Sequence, residues 1–466
     1  MPKSWTNLAG IGKCSPYAHH YPTSTEEVTN IVKQISAKKE KCRVAGLGKS
    51  PNRCTFTNQH LIHMSKMDRI LNVDKNKNTV TCQGGTQMKR LMEVIDDLGL
   101  MLRCVPSYVE TTVAGCIGTA THSSGMKTHG LCDYVESLVV VDSHGEKHVY
   151  SVDRDPKLVR LAACHLGVLG IVVEVTLRLE AKEMWRLVSS ALSLSEAKRA
   201  ALHMKYVNKY EYYRLWWVPH TTMCYQSFGF RFNRSQSRTN EALYRRWVSK
   251  EKSTWTRLVR ALKDNWLRHT AVQCSLWLTC TFPSLQPVVN KLYQMIFYGS
   301  PAEQFGSTME VFTFDCLFKQ WANEWAIDAE KAPEVLRRLE KMISDHKLKL
   351  HFPVEFRFSP ADDSALSPAA GRATCWVGVV MYKPYGREAR DTIKCYDLFN
   401  AMMKEMGGRP HWAKYYQWGY KDFENAYGQS WADFLELRKK HDPTGTFVNE
   451  WFSQLLSETP KNSTKC

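Results

Sequence analysis

Glu355 and Arg357, in Val354-Glu355-Phe356-Arg357, are spaced for chemistry. Side chains alternate along an extended strand, so both would leave the same face. A carboxylate beside a guanidinium can be an ordinary ion pair, worth little when exposed. It can also be a working pair, because a guanidinium grips an oxygen directionally and stabilises negative charge that grows in a reaction. A second group is backbone. Arg43-Val44-Ala45-Gly46-Leu47-Gly48-Lys49-Ser50-Pro51 runs from apolar residues into a turn with two glycines. Successive N–H groups in such a turn form a nest for an anion such as a pyrophosphate; a plain surface turn has the same composition. A third is Val113-Ala114-Gly115-Cys116-Ile117-Gly118-Thr119-Ala120-Thr121-His122-Ser123-Ser124-Gly125. Its small residues suit backbone lying against a bulky ligand, or a tight helix–sheet contact.

Elements that could position these groups alternate through the first 180 or so residues. Ser24 and Glu27 read as a capping box, and Val28, Ile31, Val32 and Ile35 follow at helical spacing. Cys42–Gly46, Leu61–Met64 and Thr79–Gln83 read as short strands. A second helix opens at Thr86, with Met88, Leu91, Met92, Ile95 and Leu98 on one face, and Gly99 ends it. His165–Gly170 is a glycine turn feeding a β-rich run, and the composition changes near Leu179–Lys182. Beyond that point Tyr212–Val218 and Ala373–Tyr382 read as strands and Asp391–Met406 as a helix stopped by Gly407-Gly408. The pattern is α+β. It lacks the strict βαβ unit and acidic ribose residue of a nicotinamide-binding fold.

The chain has 466 residues, which suggests two or three domains, and carries a net charge of +17. Such a surface attracts polyanions or anionic membranes. Basic residues concentrate between Phe230 and His269: Arg231, Arg234, Arg238, Arg245, Arg246, Lys250, Lys252, Arg257, Arg260, Lys263 and Arg268, with Trp247, Trp255 and Trp266 among them. They read as a solvated amphipathic helix pair or a membrane-surface patch. No zinc-finger or RNP-like motif supports a nucleic-acid partner. The 15 cysteines include no CxxC pair and no metal-ligand spacing, so we expect buried thiols, a reducing compartment and no metal. No apolar stretch is long enough for a spanning helix.

The ordered motifs resemble the aldonolactone oxidases of the vanillyl-alcohol-oxidase type. The glycine turn, Ile62–Ile70, Gly115–Gly125, His165–Gly170, Trp216–His220, Glu324–Ile327, Phe352–Phe358, Met381–Gly386 and Asp442–Phe447 all match. The most specific is Gly407-Gly408-Arg409-Pro410-His411-Trp412-Ala413-Lys414. The resemblance implies a two-subdomain PCMH-type FAD-binding domain over 15–181. An α+β substrate (cap) domain would follow over 182–458, its C-terminal segment returning to the flavin. It implies oxidation of a sugar-lactone hydroxyl by hydride transfer to flavin N5, with O2 as acceptor giving H2O2. Open-chain polyol oxidation and a non-catalytic flavoprotein are the alternatives.

By the same resemblance, Glu355, Arg357 and Lys414 are the catalytic group, Lys414 binding a substrate oxygen or accepting a proton. Ser124 and His411 meet the substrate. FAD would be held by Ala45, Gly46, Leu47, Gly48, Lys49, Ser50, Pro106, Ser107, Gly115, Gly118, Thr119, Thr121, His122, Ser123, Gly170, Ile171 and Val172. Pro106 matches a position beside the flavin where Gly or Pro accompanies oxidases. The family's turn carries a histidine linked covalently to the flavin; this chain has Lys49 there. The departure implies non-covalent FAD, with a positive Lys49 favouring the reduced flavin. Related proteins on membranes suggest an intracellular protein with peripheral membrane contact, at endoplasmic reticulum or mitochondria, or else a cytoplasmic one.

Overall fold

The computed structural model describes residues 4–201, 204–252, 266–298, 301–314 and 318–457. Three sheets carry most of the chemistry. In a parallel three-stranded sheet, His60–His63 lies between Ala18–His20 and Cys42–Ala45. An antiparallel five-stranded sheet runs Ile70–Asp74, Thr79–Gln83, Ile171–Arg178, Val135–Val141, Lys147–Ser151. Both come from residues before Glu180. The third is antiparallel with eight strands. Its order is Ala302–Gly306, Met184–Ser193, Met223–Phe232, Tyr212–Trp217, Val354–Ser359, Thr374–Tyr382, Gln320–Asp328, Arg409–Pro410.

Local signals set most element ends. The first helix is Thr25–Ala37, and Ser24 accepts the Glu27 N–H at 3.2 Å. Glu27 reaches back to the Thr23 N–H at 2.8 Å, one residue earlier than a reciprocal box would require. The second helix is Met88–Asp97, with Met88, Leu91, Met92 and Ile95 buried. Leu98, placed on that face by the pattern, is instead the cap residue and stays partly exposed. The third helix, Val113–Ile117, starts where Thr112 accepts the Gly115 N–H.

The glycine turn is anchored from behind by Arg43, which is buried and surrounded by carbonyls. It donates to Cys54, Gly167, Leu166 and Phe447 oxygens at 2.7–3.0 Å. A carbonyl cage satisfies the guanidinium without a counter-charge. It also ties the turn to both the His165–Gly170 segment and the chain's C-terminal part. The N-terminal sheets join the eight-stranded sheet at Gly125, whose N–H donates to Phe358 O at 2.5 Å. Gly125 has φ +132°, and a Cβ there would fall 1.8 Å from Glu211 O, so only glycine fits.

The basic stretch begins in a strand and goes on into helices. Arg231 ends a strand and meets Glu180, Glu183 and Glu211 at 2.6–3.0 Å. Arg234 and Arg245 both pair with Glu241. A helix covers Arg238–Lys252 and another Trp266–Thr281. Trp255, Arg257, Arg260 and Lys263 lie outside the described residues. Of the described cysteines all but Cys274 are buried, and none forms a disulfide.

Candidate active site

A cavity of about 660 Å³ opens where the two halves meet, large enough for a bulky cofactor and a small substrate. Gly46, Leu47, Gly48, Lys49, Ser50, Pro106, Gly115, Gly118, Thr119, Thr121, Gly170 and Val172 line it on the side of the glycine turn. Ser107 and His122 line it together with Glu355, Arg357, His411 and Lys414. Ala45, Ser123, Ser124 and Ile171, named from sequence, do not line it. Ala45 and Ile171 point into the core behind the strands. The Ser124 hydroxyl donates to Tyr213 O and accepts the Phe358 N–H at 3.3 Å, so it staples the two halves rather than meeting a substrate.

The glycine turn has the character of an anion nest. Among the described residues, the N–H groups of Leu47, Gly48, Lys49 and Ser50 find no protein acceptor. Buried or partly buried N–H groups are normally paired, so this row of donors at a cavity wall fits a pyrophosphate. Gly48 has φ +63°, and a Cβ there would meet the Trp5 ring at 2.7 Å. At the rim, Lys49 Nζ donates to Tyr108 Oη at 3.2 Å and Glu110 Oε2 at 3.3 Å. Burial alone would lower its pKa; Tyr108 and Glu110 outweigh that and raise it, so the side chain is a charged clasp between two cavity walls.

Strand alternation does what the spacing implied: Glu355 and Arg357 face the cavity together. Arg357 pairs with Glu324, reaches Glu355 Oε2 at 3.3 Å, and donates to Ser107 Oγ at 3.2 Å. A second guanidinium, Arg214, lies 3.1 Å from Glu355 Oε1 and donates to Ser107 Oγ at 2.7 Å. Trp216 Nε1 donates to Glu355 Oε1 at 3.1 Å. Glu355 is therefore held by the Trp216 N–H between two guanidiniums and acts as a charge bracket for the two arginines.

Glu324 is the hub that sequence reasoning passed over. It meets Arg357, His122 Nε2 at 3.2 Å and Lys414 Nζ at 3.7 Å. Burial would raise its pKa; Arg357, His122 and Lys414 outweigh burial and hold the carboxyl well below the usual range. Burial pushes His122 down to about 4, with Arg357 adding to the effect. Burial also lowers His411 well below its ordinary value. Both imidazoles are thus neutral at physiological pH. A usable signal was present: a single carboxylate inside Trp321-Ala322-Asn323-Glu324-Trp325-Ala326-Ile327, an apolar run that forces it to find partners. Arg214, inside Tyr212-Tyr213-Arg214-Leu215-Trp216, carried the same signal.

The comparisons agree with this geometry. The signature of D-arabinono-1,4-lactone oxidase matches residues 175–455, and that of an FAD binding domain matches 16–151. This chain belongs to the D-arabinono-1,4-lactone oxidase family. Among its relatives, L-gulonolactone oxidase of Mus musculus is 31% identical over 97% of this chain and 98% of its own length. L-gulono-1,4-lactone dehydrogenase of Mycobacterium tuberculosis is 27% identical over 98% of this chain and 100% of its own. A solved structure, a solvent-stable cholesterol oxidase, superposes with a TM-score of 0.75 at 16% identity, covering 96% of each chain. That likeness establishes the fold, an FAD-binding domain with a cap domain. As a member of the family the chain is an FAD-dependent oxidoreductase, and the open nest at Leu47–Ser50 is where its residues fit the cofactor.

Proposed function

We propose that this protein oxidises an aldono-1,4-lactone, such as L-gulono-, L-galactono- or D-arabinono-1,4-lactone, in an ascorbate-type biosynthesis. Dioxygen is the acceptor, yielding hydrogen peroxide. The observation that carries this reading is the group of two cations and two carboxylates lining the cavity, Arg357, Lys414, Glu324 and Glu355, with Arg214 behind Glu355. A polyhydroxylated lactone offers hydroxyl and carbonyl oxygens to that group. FAD, when bound, supplies the two-electron chemistry by taking hydride at N5; the protein supplies position and electrostatics. Arg357 and Arg214, pinned together on Ser107 Oγ, stabilise negative charge that grows beside them. Lys414, facing Glu324, donates to a substrate oxygen.

FAD is held non-covalently in this reading, because Lys49 stands at the family's linking position and is engaged with Tyr108 and Glu110. Glu110 offsets the Lys49 charge, which reduces its pull on the flavin. Pro106 on the cavity wall suits an oxidase.

A peripheral membrane contact also belongs to this reading. No described helix is long and apolar enough to cross a membrane. However, the helices Trp266–Thr281 and Gln286–Tyr298 and the turn between them leave Trp277, Phe282, Val288, Leu292, Met295 and Ile296 exposed on a basic protein. Such surfaces suit the lipid interface. Co-sedimentation with anionic vesicles, lost when Met295 and Ile296 become serine, is the expected result.

The test of the activity is an anaerobic titration of the FAD-loaded protein with L-gulono-1,4-lactone, followed by air. Bleaching of the flavin, recovery in air with peroxide formed, and release of flavin on acid precipitation support the reading. A flavin left unbleached by every aldonolactone refutes it.

A further inference from the structure

The backbone locks the two histidines beside Glu324 into opposite tautomers. His122 Nδ1 lies 3.0 Å from the Ser123 carbonyl oxygen. A carbonyl can only accept, so Nδ1 carries the hydrogen and Nε2 of the neutral ring is a bare acceptor. His411 is reversed. Ala413 N–H donates to its Nδ1 at 3.1 Å, so its Nε2 carries the hydrogen and serves as a donor. The His122 ring is held in place by Trp376, stacked at 3.5 Å and 7°.

His122 Nε2 is buried, has no hydrogen-bond partner among the described residues, and sits 3.2 Å from Glu324 Oε1. The imidazole is neutral and the carboxyl ionised. Two acceptor atoms therefore face each other at contact distance with no proton between them. Glu324 Oε1 already accepts from Arg357, whereas His122 Nε2 is unpaired; a buried acceptor left unpaired is costly, and a single proton placed between the two would satisfy it.

We propose that Glu324 and His122 form the proton acceptor of the reaction, taking the substrate's hydroxyl proton and holding it between Glu324 Oε1 and His122 Nε2. This rests on the oxidase reading above. The balance closes. The substrate C–H bond breaks and its hydrogen leaves with the electron pair to the flavin. The O–H bond breaks, the C=O bond forms, and the proton stays with the pair. Dioxygen then takes both electrons, the transferred hydrogen and the held proton, giving hydrogen peroxide.

Glu355 is a poor candidate for this role because Arg214, Trp216 and Arg357 already occupy it. Glu324 lines the cavity, and its Oε1, although it accepts from Arg357, has the bare His122 Nε2 beside it at 3.2 Å to share a proton. A carboxylate of low basicity suffices. As hydride leaves the carbon, the hydroxyl acquires the acidity of a protonated ketone. The held proton also places positive charge beside the negative charge that reduction brings.

The experiment counts protons. FAD-loaded enzyme is mixed anaerobically with L-gulono-1,4-lactone in weak buffer containing an indicator dye, and bleaching and proton release are followed together. The wild type is expected to bleach while releasing almost no proton. His122→Asn keeps a donor for Ser123 O but removes the acceptor. It should release about one proton per flavin and bleach ~10–100-fold more slowly, the usual scale for loss of an acid–base group. Glu324→Gln should release its proton likewise. A merely structural role would slow bleaching without altering the proton count. Wild type that releases a full proton in step with bleaching overturns the proposal, as does His122→Asn that retains it. If the lactone leaves wild-type flavin unbleached, the lactone reading fails and the same count is taken with xylitol. Failure with both substrates overturns both readings.

Discussion

Replacing Arg357 by methionine should strand a buried carboxylate, and the cost can be worked from the contacts. Arg357 is 7% exposed and Glu324 is 3% exposed, so water screens neither. The guanidinium is the partner of Glu324, reaches Glu355 at 3.3 Å and bonds Ser107. Without it, Glu355 keeps Arg214 at 3.1 Å and Trp216 at 3.1 Å, whereas Glu324 keeps only Lys414 at 3.7 Å as a positive partner. Breaking a buried pair on one side costs roughly 3–5 kcal/mol, most of it from the charge left behind. Adding Glu324→Gln to Arg357→Met removes that stranded charge, so the double variant should recover about half of the loss. Urea unfolding of the substrate-domain transition, followed by tryptophan fluorescence at fixed FAD, reads both variants. Bleaching by lactone should also fall by roughly 100-fold or more, the scale of losing a preorganised charge-stabilising donor. The reasoning is refuted if Arg357→Met costs less than about 1 kcal/mol and the double variant costs the sum of the singles. Arg357→Lys should recover little, because one ammonium cannot serve Glu324, Glu355 and Ser107 at once.

Further outcomes follow from the structure. Lys49→Met should leave apoprotein stability within about 1 kcal/mol, since its partner Glu110 is largely exposed, yet FAD should dissociate several-fold faster by fluorescence because the clasp across the cavity is lost. Lys49→His restores the family's linking side chain, and acid-precipitated protein should then retain flavin. Gly48→Ala forces a left-handed residue against Trp5 and should lower FAD affinity in equilibrium titrations while the far-UV spectrum is unchanged. Stability should fall as pH drops from about 6.5 towards 4. Burial lowers His122, His165 and His220 to about 4 and His351 to about 3, so the unfolded chain takes up those protons first. Asp362 acts in the opposite sense. Burial, then Asp133, raises it to about 6, so Asp362→Asn should steepen the acid loss seen in thermal scans.

Local chemistry made much of this protein legible in one dimension. The cap at Ser24, the stop at Gly99, the glycine turn and the period-two pair Glu355/Arg357 depend on neighbours a few residues apart. Backbone dihedrals and side-chain alternation act over that range, so residue order alone determined them. The ordered motifs, ending in His411-Trp412-Ala413-Lys414, were enough to indicate the fold and the cofactor. The partners of each charge were decided only by the tertiary structure. Glu324 lies 33 positions from Arg357 and 90 from Lys414, and Arg214 meets Ser107 across more than a hundred residues. Ser124 looked like a substrate contact until the approach of Tyr212–Trp217 and Val354–Ser359 claimed its hydroxyl. Long-range pairing of this kind follows from which sheet faces close over a common cavity. The desolvation that makes those charges matter exists only after that closure.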